Sequence, residues 1–108
     1  MHPLIERNKE KISDICRRHY VKELHVFGSI TNDHFQPTSD IDFLYKIDID
    51  NFPNWATGSF DYTDNLLSLE EELQKVFNRK IDLVPEMYFQ NQFLKRTIET
   101  SKQLVYAA

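Results

Sequence analysis

The stretch from Phe27 to Phe43 reads FGSITNDHFQPTSDIDF and decides how this chain folds. An apolar run over residues 24–27 leads into Gly28 and Ser29, at one of only two glycines in the chain. Glycine permits a sharp turn and a close approach of backbone to a ligand. The pattern predicts a strand, a turn into a short helix, an irregular loop and then a second strand.

The second strand carries two carboxylates, Asp40 and Asp42. Successive side chains of a strand alternate between its faces, so these two share one face while Ile41 and Phe43 point into a core. The rise of about 3.3 Å per residue places the two carboxylates roughly 6 to 7 Å apart. Aspartate is depleted in strands and like charges on one face repel, so the arrangement predicts a divalent cation at this surface.

A third strand carboxylate, Asp82, alternates with Ile81 and Leu83. Mg²⁺ takes oxygen ligands and is usually shared between carboxylates, waters and substrate phosphates, so the three aspartates predict a site for one or two ions. Gly28 and Ser29 supply backbone N–H groups and a hydroxyl that can bind a phosphate oxygen. The competing interpretation is a surface turn beside solvated aspartates. Gly58-Ser59 is followed by no such pair of aspartates, which favours the metal site.

Composition limits the classes of function. The chain has 108 residues, 41% of them hydrophobic, which predicts a single domain over residues 1–108. Its 13 basic and 17 acidic residues give a net charge of -4, which argues against direct binding to nucleic acid. The only cysteine, Cys16, excludes an internal disulfide, and its neighbours predict that it packs within a helix. No membrane-length apolar run or signal peptide is present, so a cytoplasmic protein is expected.

Periodicity predicts the other elements. Apolar residues at helical spacing predict a first helix, and the β-branched and aromatic runs predict short strands. The predicted order is αβαβαβα, in the α+β class: a helix over 3–20, a strand over 23–27, a short helix at Gly28, a strand over 40–47, a helix from Asp61 or Thr63 to Asn78, a strand over 80–84, a helix over 86–100 and an apolar tail over 104–106.

The connection over residues 48–61 is acidic and aromatic and contains Pro53 and Gly58, so an irregular segment is expected. Three aromatic residues lie in it, Phe52, Trp55 and Phe60. They form either a partner surface or a satellite of the core, and the core is the commoner place for them.

Together, these residues resemble the minimal nucleotidyltransferases of the DNA polymerase β-like superfamily. The resemblance covers residues 20–106 and lies in Gly28-Ser29, the run PTSDIDFL over 37–44 and a later strand aspartate. It implies a small mixed β-sheet flanked by helices. It also implies Mg²⁺-dependent transfer of AMP from ATP, with Gly28 and Ser29 holding the triphosphate, Asp40 and Asp42 binding metal, and Asp82 as the third metal-binding carboxylate that activates the acceptor hydroxyl.

Small stand-alone members of this family are typically the antitoxin halves of toxin-antitoxin pairs with an HEPN-type ribonuclease, which they inactivate by adenylylating a tyrosine. The resemblance therefore implies a hetero-oligomer of this chain with such a partner. The family often places arginines and a glycine after the Gly-Ser, where this chain has Ile30, Asn32 and Asp33. Phosphate binding would then be weaker, or it would be supplied by Lys46 or by a basic residue of the partner. The alternative is a binding module that neutralises its partner by occlusion. His34 is expected to be solvated.

Overall fold

The computed structural model describes residues 1–52, 61–86 and 92–108. Four helices and four strands are numbered in chain order, with two short 3-10 helices between them. The helices are α1 (Pro3–Glu6), α2 (Lys9–Arg18), α3 (Asp61–Phe77) and α4 (Gln92–Ser101); the strands are β1 (Val21–Phe27), β2 (Ile41–Ile47), β3 (Ile81–Pro85) and β4 (Gln103–Ala107); the 3-10 helices cover Gly28–Thr31 and Ile49–Asn51.

The strands form one mixed sheet in the order β3-β2-β1-β4. β1 runs antiparallel to both β2 and β4, whereas β2 and β3 are parallel. The predicted α+β class with a small mixed sheet is confirmed. The predicted order αβαβαβα stops one element short, because the apolar tail is strand β4, where Tyr106 pairs with Leu24. Three apolar residues do not distinguish a tail from an edge strand, since the pairing partner lies about 80 residues away.

The predicted helix over residues 3–20 is two helices. Pro3 begins α1, and the side chain of His2 accepts a hydrogen bond from the backbone N–H of Leu4. Asn8 ends α1 because its side-chain amide donates to the carbonyl oxygen of Leu4 at 2.8 Å. Asparagine competes with the backbone for hydrogen bonds in this way, and helical spacing of the apolar residues does not reveal it.

The two faces of the sheet are packed differently. One face is covered by α2 and α3, and its buried cluster includes Ile12, Leu24, Phe43, Leu69 and Leu73. The opposite face carries α4, whose Ile98 packs with Phe27 and Leu44 in a cluster that is smaller among the described side chains. Asp42 shares this second face with Leu44, because side chains two apart in a strand point the same way.

The connection after β2 begins with residues that the structure describes, among them the aromatic Phe52. Phe52 is 6% exposed and its ring lies against Tyr20 and Tyr62, so the core interpretation is correct for this residue. Trp55 and Phe60 lie outside the described residues.

Tyr20 and Asn78 adopt positive φ angles just after α2 and α3, the usual conformation at a helix end. None of the described helices has the length and hydropathy needed to cross a membrane.

Candidate active site

Strand register brings two of the three predicted carboxylates together. β2 and β3 are parallel neighbours, and Asp42 pairs directly with Asp82. Apolar residues flank both positions and fix this register, because Ile41 pairs with Ile81 and both are buried. A shift of β3 by one residue would turn Asp82 to the opposite face and bring Ile81 out of the core. The apolar pattern of the strands therefore specifies where the carboxylates meet.

The electrostatics of Asp42 show how close these groups are. Burial, the negative charge of Asp82, a hydrogen bond with Asp82 and the negative charge of Asp40 together raise the pKa of Asp42 to about 6. A hydrogen bond between two carboxyl groups requires a proton between them. Below about pH 6 a proton can be shared by the pair, whereas at neutral pH both carboxylates are mostly charged and their repulsion favours a bound cation.

Gly28 lies directly against this pair. Its φ angle is +79°, and an added Cβ would lie 2.5 Å from Asp42 Oδ2. Only glycine allows the turn after β1 to adopt this conformation and to pass so close to the carboxylate. Phe27, the last residue of β1, pairs with Asp42, so the antiparallel ladder places the turn at this point.

The turn itself is a 3-10 helix of four residues, Gly28–Thr31. Thr31 Oγ1 donates to the carbonyl oxygen of Gly28 at 2.6 Å, and the N–H of Asn32 donates to the carbonyl oxygen of Ser29 at 3.1 Å. The hydroxyl of Ser29 makes no hydrogen bond to other residues in the described part of the chain and is half-buried. The turn is therefore held by its own hydrogen bonds and leaves the serine hydroxyl available.

Asp40 stands just outside β2, which begins at Ile41. Its Oδ2 lies 3.9 Å from Lys80 Nζ, and both side chains are substantially exposed. Asp40 is thus close enough to Asp42 to raise its pKa, but it is held by the loop before the strand and not by the strand ladder. The prediction of a strand from residue 40 was one residue too long.

The residues present fit a divalent cation, although they do not form a complete ligand cage. Among the described residues, no group of three His, Cys, Asp or Glu side chains is arranged to hold a metal ion. Asp42 and Asp82 nevertheless offer adjacent carboxylate oxygens, the hard ligands that Mg²⁺ prefers, and Asp40 stands beside them. Mg²⁺ bound by two or three carboxylates takes its remaining ligands from water and substrate phosphates.

Two basic residues beside this site were not predicted, Arg79 and Lys80, which connect α3 to β3. Lys46 was predicted to supply phosphate contacts, but it follows Asp42 by four strand residues, which is about 13 Å along β2. Lys80 Nζ lies 3.9 Å from a carboxylate oxygen of Asp40. Its position directly before the Asp82 strand was a usable signal. His34 is exposed, as expected, and its N–H donates to Asn32 Oδ1.

Comparisons with known proteins agree with this geometry. The family model described as "Nucleotidyltransferase domain" matches residues 9–105. A protein of Methanocaldococcus jannaschii named "Putative protein adenylyltransferase MJ1379" is 27% identical over 103 residues, which cover 95% of this chain and 90% of that protein.

Solved structures share the fold. A "putative minimal nucleotidyltransferase" aligns with a TM-score of 0.70 at 18% identity over 95% of both chains. A chain of a toxin-antitoxin complex with AMP-PNP aligns with a TM-score of 0.63 at 20% identity, covering 94% of this chain and 74% of that one. A chain from the complex of a tri-AMPylated Shewanella oneidensis HEPN toxin with its MNT antitoxin aligns with a TM-score of 0.61 at 18% identity, covering 96% and 73%.

The family model spans nearly all of the chain, and the paired aspartates and the glycine turn lie within its limits. The resemblance inferred from Gly28-Ser29 and the aspartates is thereby confirmed. This chain belongs to the nucleotidyltransferase domain family.

Proposed function

We propose that this chain, a single domain over residues 1–108, transfers AMP from ATP to a tyrosine hydroxyl of a partner protein, an HEPN-type ribonuclease toxin, and so acts as its antitoxin. The observation that carries the proposal is the pairing of Asp42 with Asp82 directly against Gly28. Membership of the nucleotidyltransferase family supports the reaction class. The named adenylyltransferase relative and the toxin-antitoxin neighbours support the kind of acceptor.

The reaction is a displacement at phosphorus. The acceptor oxygen forms a bond to the α-phosphorus of ATP, the bond from that phosphorus to the bridging oxygen breaks, and pyrophosphate leaves. Asp82 would receive the proton of the acceptor hydroxyl, and its position on the edge strand β3, paired with Asp42, supports this role. A general base positioned in this way contributes typically 10²- to 10⁴-fold to the rate.

The remaining residues bind the nucleotide. Gly28 and Ser29 would hold the triphosphate through backbone N–H groups and the serine hydroxyl, and Lys80 adds a positive charge beside Asp40. Asp40, Asp42 and Asp82 would hold one or two Mg²⁺ ions, which supply charge neutralisation to the triphosphate. Lys80 would then exchange its pairing with Asp40 for a phosphate oxygen, because Asp40 becomes occupied.

A protein acceptor fits the charge of the chain. A net charge of -4 opposes direct binding to nucleic acid. The partner would bring the hydroxyl to the exposed side of the Asp42–Asp82 pair and form a hetero-oligomer with this chain. This transfer of AMP to the toxin would take place in the cytoplasm.

The alternative function is neutralisation by occlusion, without transfer. The observation that favours it lies in the glycine turn and the residues that follow. Ile30 is buried, Asn32 is exposed and uncharged, and Asp33 is exposed and acidic. None of the three offers a positive charge to a phosphate. A binder of this kind would keep the fold and the surface but would have no use for ATP.

The experiment is to mix the purified chain with its HEPN-type partner, ATP and Mg²⁺ and to measure the mass of the partner. We expect the mass to rise by one or more adenylate units. Asp82→Asn should lower the rate by at least 10²-fold while ATP and the partner still bind, because the residue acts mainly in the transition state.

The matched control is Asp64→Asn, which makes the same chemical change at an exposed position of α3. It should transfer AMP at the wild-type rate. The transferase proposal fails if the partner is neutralised stoichiometrically without ATP, gains no mass and responds equally to wild type and Asp82→Asn. Those results would support occlusion.

A further inference from the structure

Arg79 connects the end of α3 to the loop that precedes the first carboxylate. It follows Asn78, which closes α3 with a φ angle of +51°. Its Nη1 donates to the carbonyl oxygen of Ser39 at 2.9 Å and to the carbonyl oxygen of Gln36 at 3.2 Å. One guanidinium nitrogen thus bridges both ends of a four-residue turn more than 35 positions earlier in the sequence.

The guanidinium is also held from its other side. Its Cζ lies 4.7 Å from the centre of the Phe35 ring, a favourable cation–π arrangement, and Phe35 itself packs against the main core. The Nε–H of Arg79 is buried and finds no acceptor among the residues that the structure describes. Two backbone carbonyl oxygens and an aromatic ring therefore fix the guanidinium in place.

The turn that Arg79 bridges has a few hydrogen bonds of its own. The N–H of Ser39 donates to the carbonyl oxygen of Gln36 at 3.0 Å, and the N–H of Gln36 donates to Ser39 Oγ at 2.9 Å. Gln36, Pro37 and Thr38 are all exposed. Among the described residues, Arg79 supplies side-chain hydrogen bonds that tie this turn to another element, and the turn's own exposed residues gain little from packing.

Asp40 is bracketed by two consecutive residues of the connection to β3. On one side, Ser39 is held by the side chain of Arg79. On the other, the N–H of Ile41 donates to the carbonyl oxygen of Lys80 at 3.1 Å. The backbone of Asp40 is thus fixed by the same short connection that leads into the Asp82 strand.

We propose that Arg79 is a positioning residue, which anchors the turn over residues 36–39 and thereby holds Asp40 beside Asp42 for cation and nucleotide binding. The effect on cation and nucleotide binding rests on the proposed function, whereas the anchoring of the turn by Arg79 does not depend on it. Arg79 touches neither nucleotide nor acceptor in this role. It lets a carboxylate outside the strand ladder act with two that lie within it.

The test compares Arg79→Ala and Arg79→Lys with wild type. Amide hydrogen exchange measures the anchor, and titration with Mn²⁺ alone, followed by its electron paramagnetic resonance signal, measures the site. Arg79→Ala should speed exchange at Gln36 and Ser39 about tenfold or more, leave β1 unchanged, and weaken Mn²⁺ binding about tenfold. Arg79→Lys should restore part of the slow amide exchange and part of the Mn²⁺ affinity, since an ammonium can still donate to one of the two carbonyl oxygens.

The control is Arg17→Ala, which removes the same charge from an exposed position of α2 and should leave both readouts at wild-type values. A purely structural role for Arg79 would speed exchange throughout the chain and leave Mn²⁺ affinity intact in the folded fraction. That result, or unchanged exchange over 36–39, overturns the proposal. If wild type transfers no AMP while exchange over 36–39 still depends on Arg79, the proposed function fails and the anchor stands.

Discussion

The two faces of the sheet differ in what they bury. Among the side chains that the structure describes, the face under α2 and α3 carries most of the buried apolar ones, whereas the face under α4 carries a cluster of Phe27, Leu44 and Ile98 beside the aspartates. Apolar burial supplies about 25 cal/mol per Å², so most of the apolar stabilisation from these side chains comes from the first face. The second face keeps charged groups close together at a cost. Substitutions on the two faces should therefore separate stability from chemistry.

The largest effect is expected on the stabilising face. Phe43 is fully buried between the sheet and α3, with its ring 6.0 Å from that of Phe77. Phe43→Ala should reduce the free energy of unfolding by about 3 to 5 kcal/mol, because it removes apolar contacts and leaves a cavity. Urea denaturation measures this change.

The control for Phe43→Ala removes an exposed apolar side chain that lies away from Asp42. Leu67 is 58% exposed on α3, and Leu67→Ala should change stability by no more than about 0.5 kcal/mol. If the two variants lost similar free energy of unfolding, apolar burial on the face under α2 and α3 would not be the main source of stability.

The next effect lies at the point where the sheet meets the site. Gly28→Ala places a side chain on a backbone with a φ angle of +79° and sets its Cβ against Asp42 Oδ2. The left-handed conformation costs an L-residue about 1 to 2 kcal/mol, and the carboxylate must also move. We expect a loss of about this size in stability together with a loss of Mn²⁺ and ATP affinity, measured by thermal melting and calorimetric titration.

Ser29→Ala is the comparison variant for Gly28→Ala. It removes a hydroxyl at the next position without adding a side chain to a strained backbone. Its stability should match wild type, and its ATP affinity should fall about tenfold, the value of one hydrogen bond to a charged group. ATP affinity that is unchanged in both variants would place the nucleotide elsewhere.

The aspartates and the glycine turn of the site could be predicted from sequence, whereas the side chain that anchors the loop before Asp40 could not. Alternation placed Asp42 and Asp82 on strands with their apolar neighbours inward, and the register observed between β2 and β3 follows from that pattern. The glycine turn was predictable because few residues other than glycine allow it. Arg79 was not, since a long side chain that bonds to backbone carbonyls leaves no periodic signal.

The fold shows the same division. The helix α3 and strands β1 to β3 were predicted to within a few residues, because each buries a regular apolar face. The break at Asn8 and the strand β4 were not predicted. Both depend on hydrogen bonds, one to a nearby backbone carbonyl and one to a strand far away in sequence. Local patterns report burial far better than they report such partners.

The smallest expected effect concerns the charges of the second face. Asp42→Asn removes one of two like charges that stand opposite each other on neighbouring strands. In metal-free buffer at neutral pH we expect the free energy of unfolding to rise by up to about 1 kcal/mol, the scale of a cross-strand charge pair. Mg²⁺ at ten times its dissociation constant should stabilise wild type by about 1.4 kcal/mol and should not stabilise the variant.

Thermal melts with and without millimolar Mg²⁺ measure both changes, and Asp64→Asn again serves as the control because its carboxylate is exposed on α3. The control should keep the wild-type response to Mg²⁺ and the wild-type stability without it. The opposite sign in metal-free buffer, with Asp42→Asn less stable than wild type, would mean that the carboxyl pair stabilises the fold through its shared hydrogen bond. The second face would then contribute stability as the first one does, and the aspartates would need no cation to explain their position.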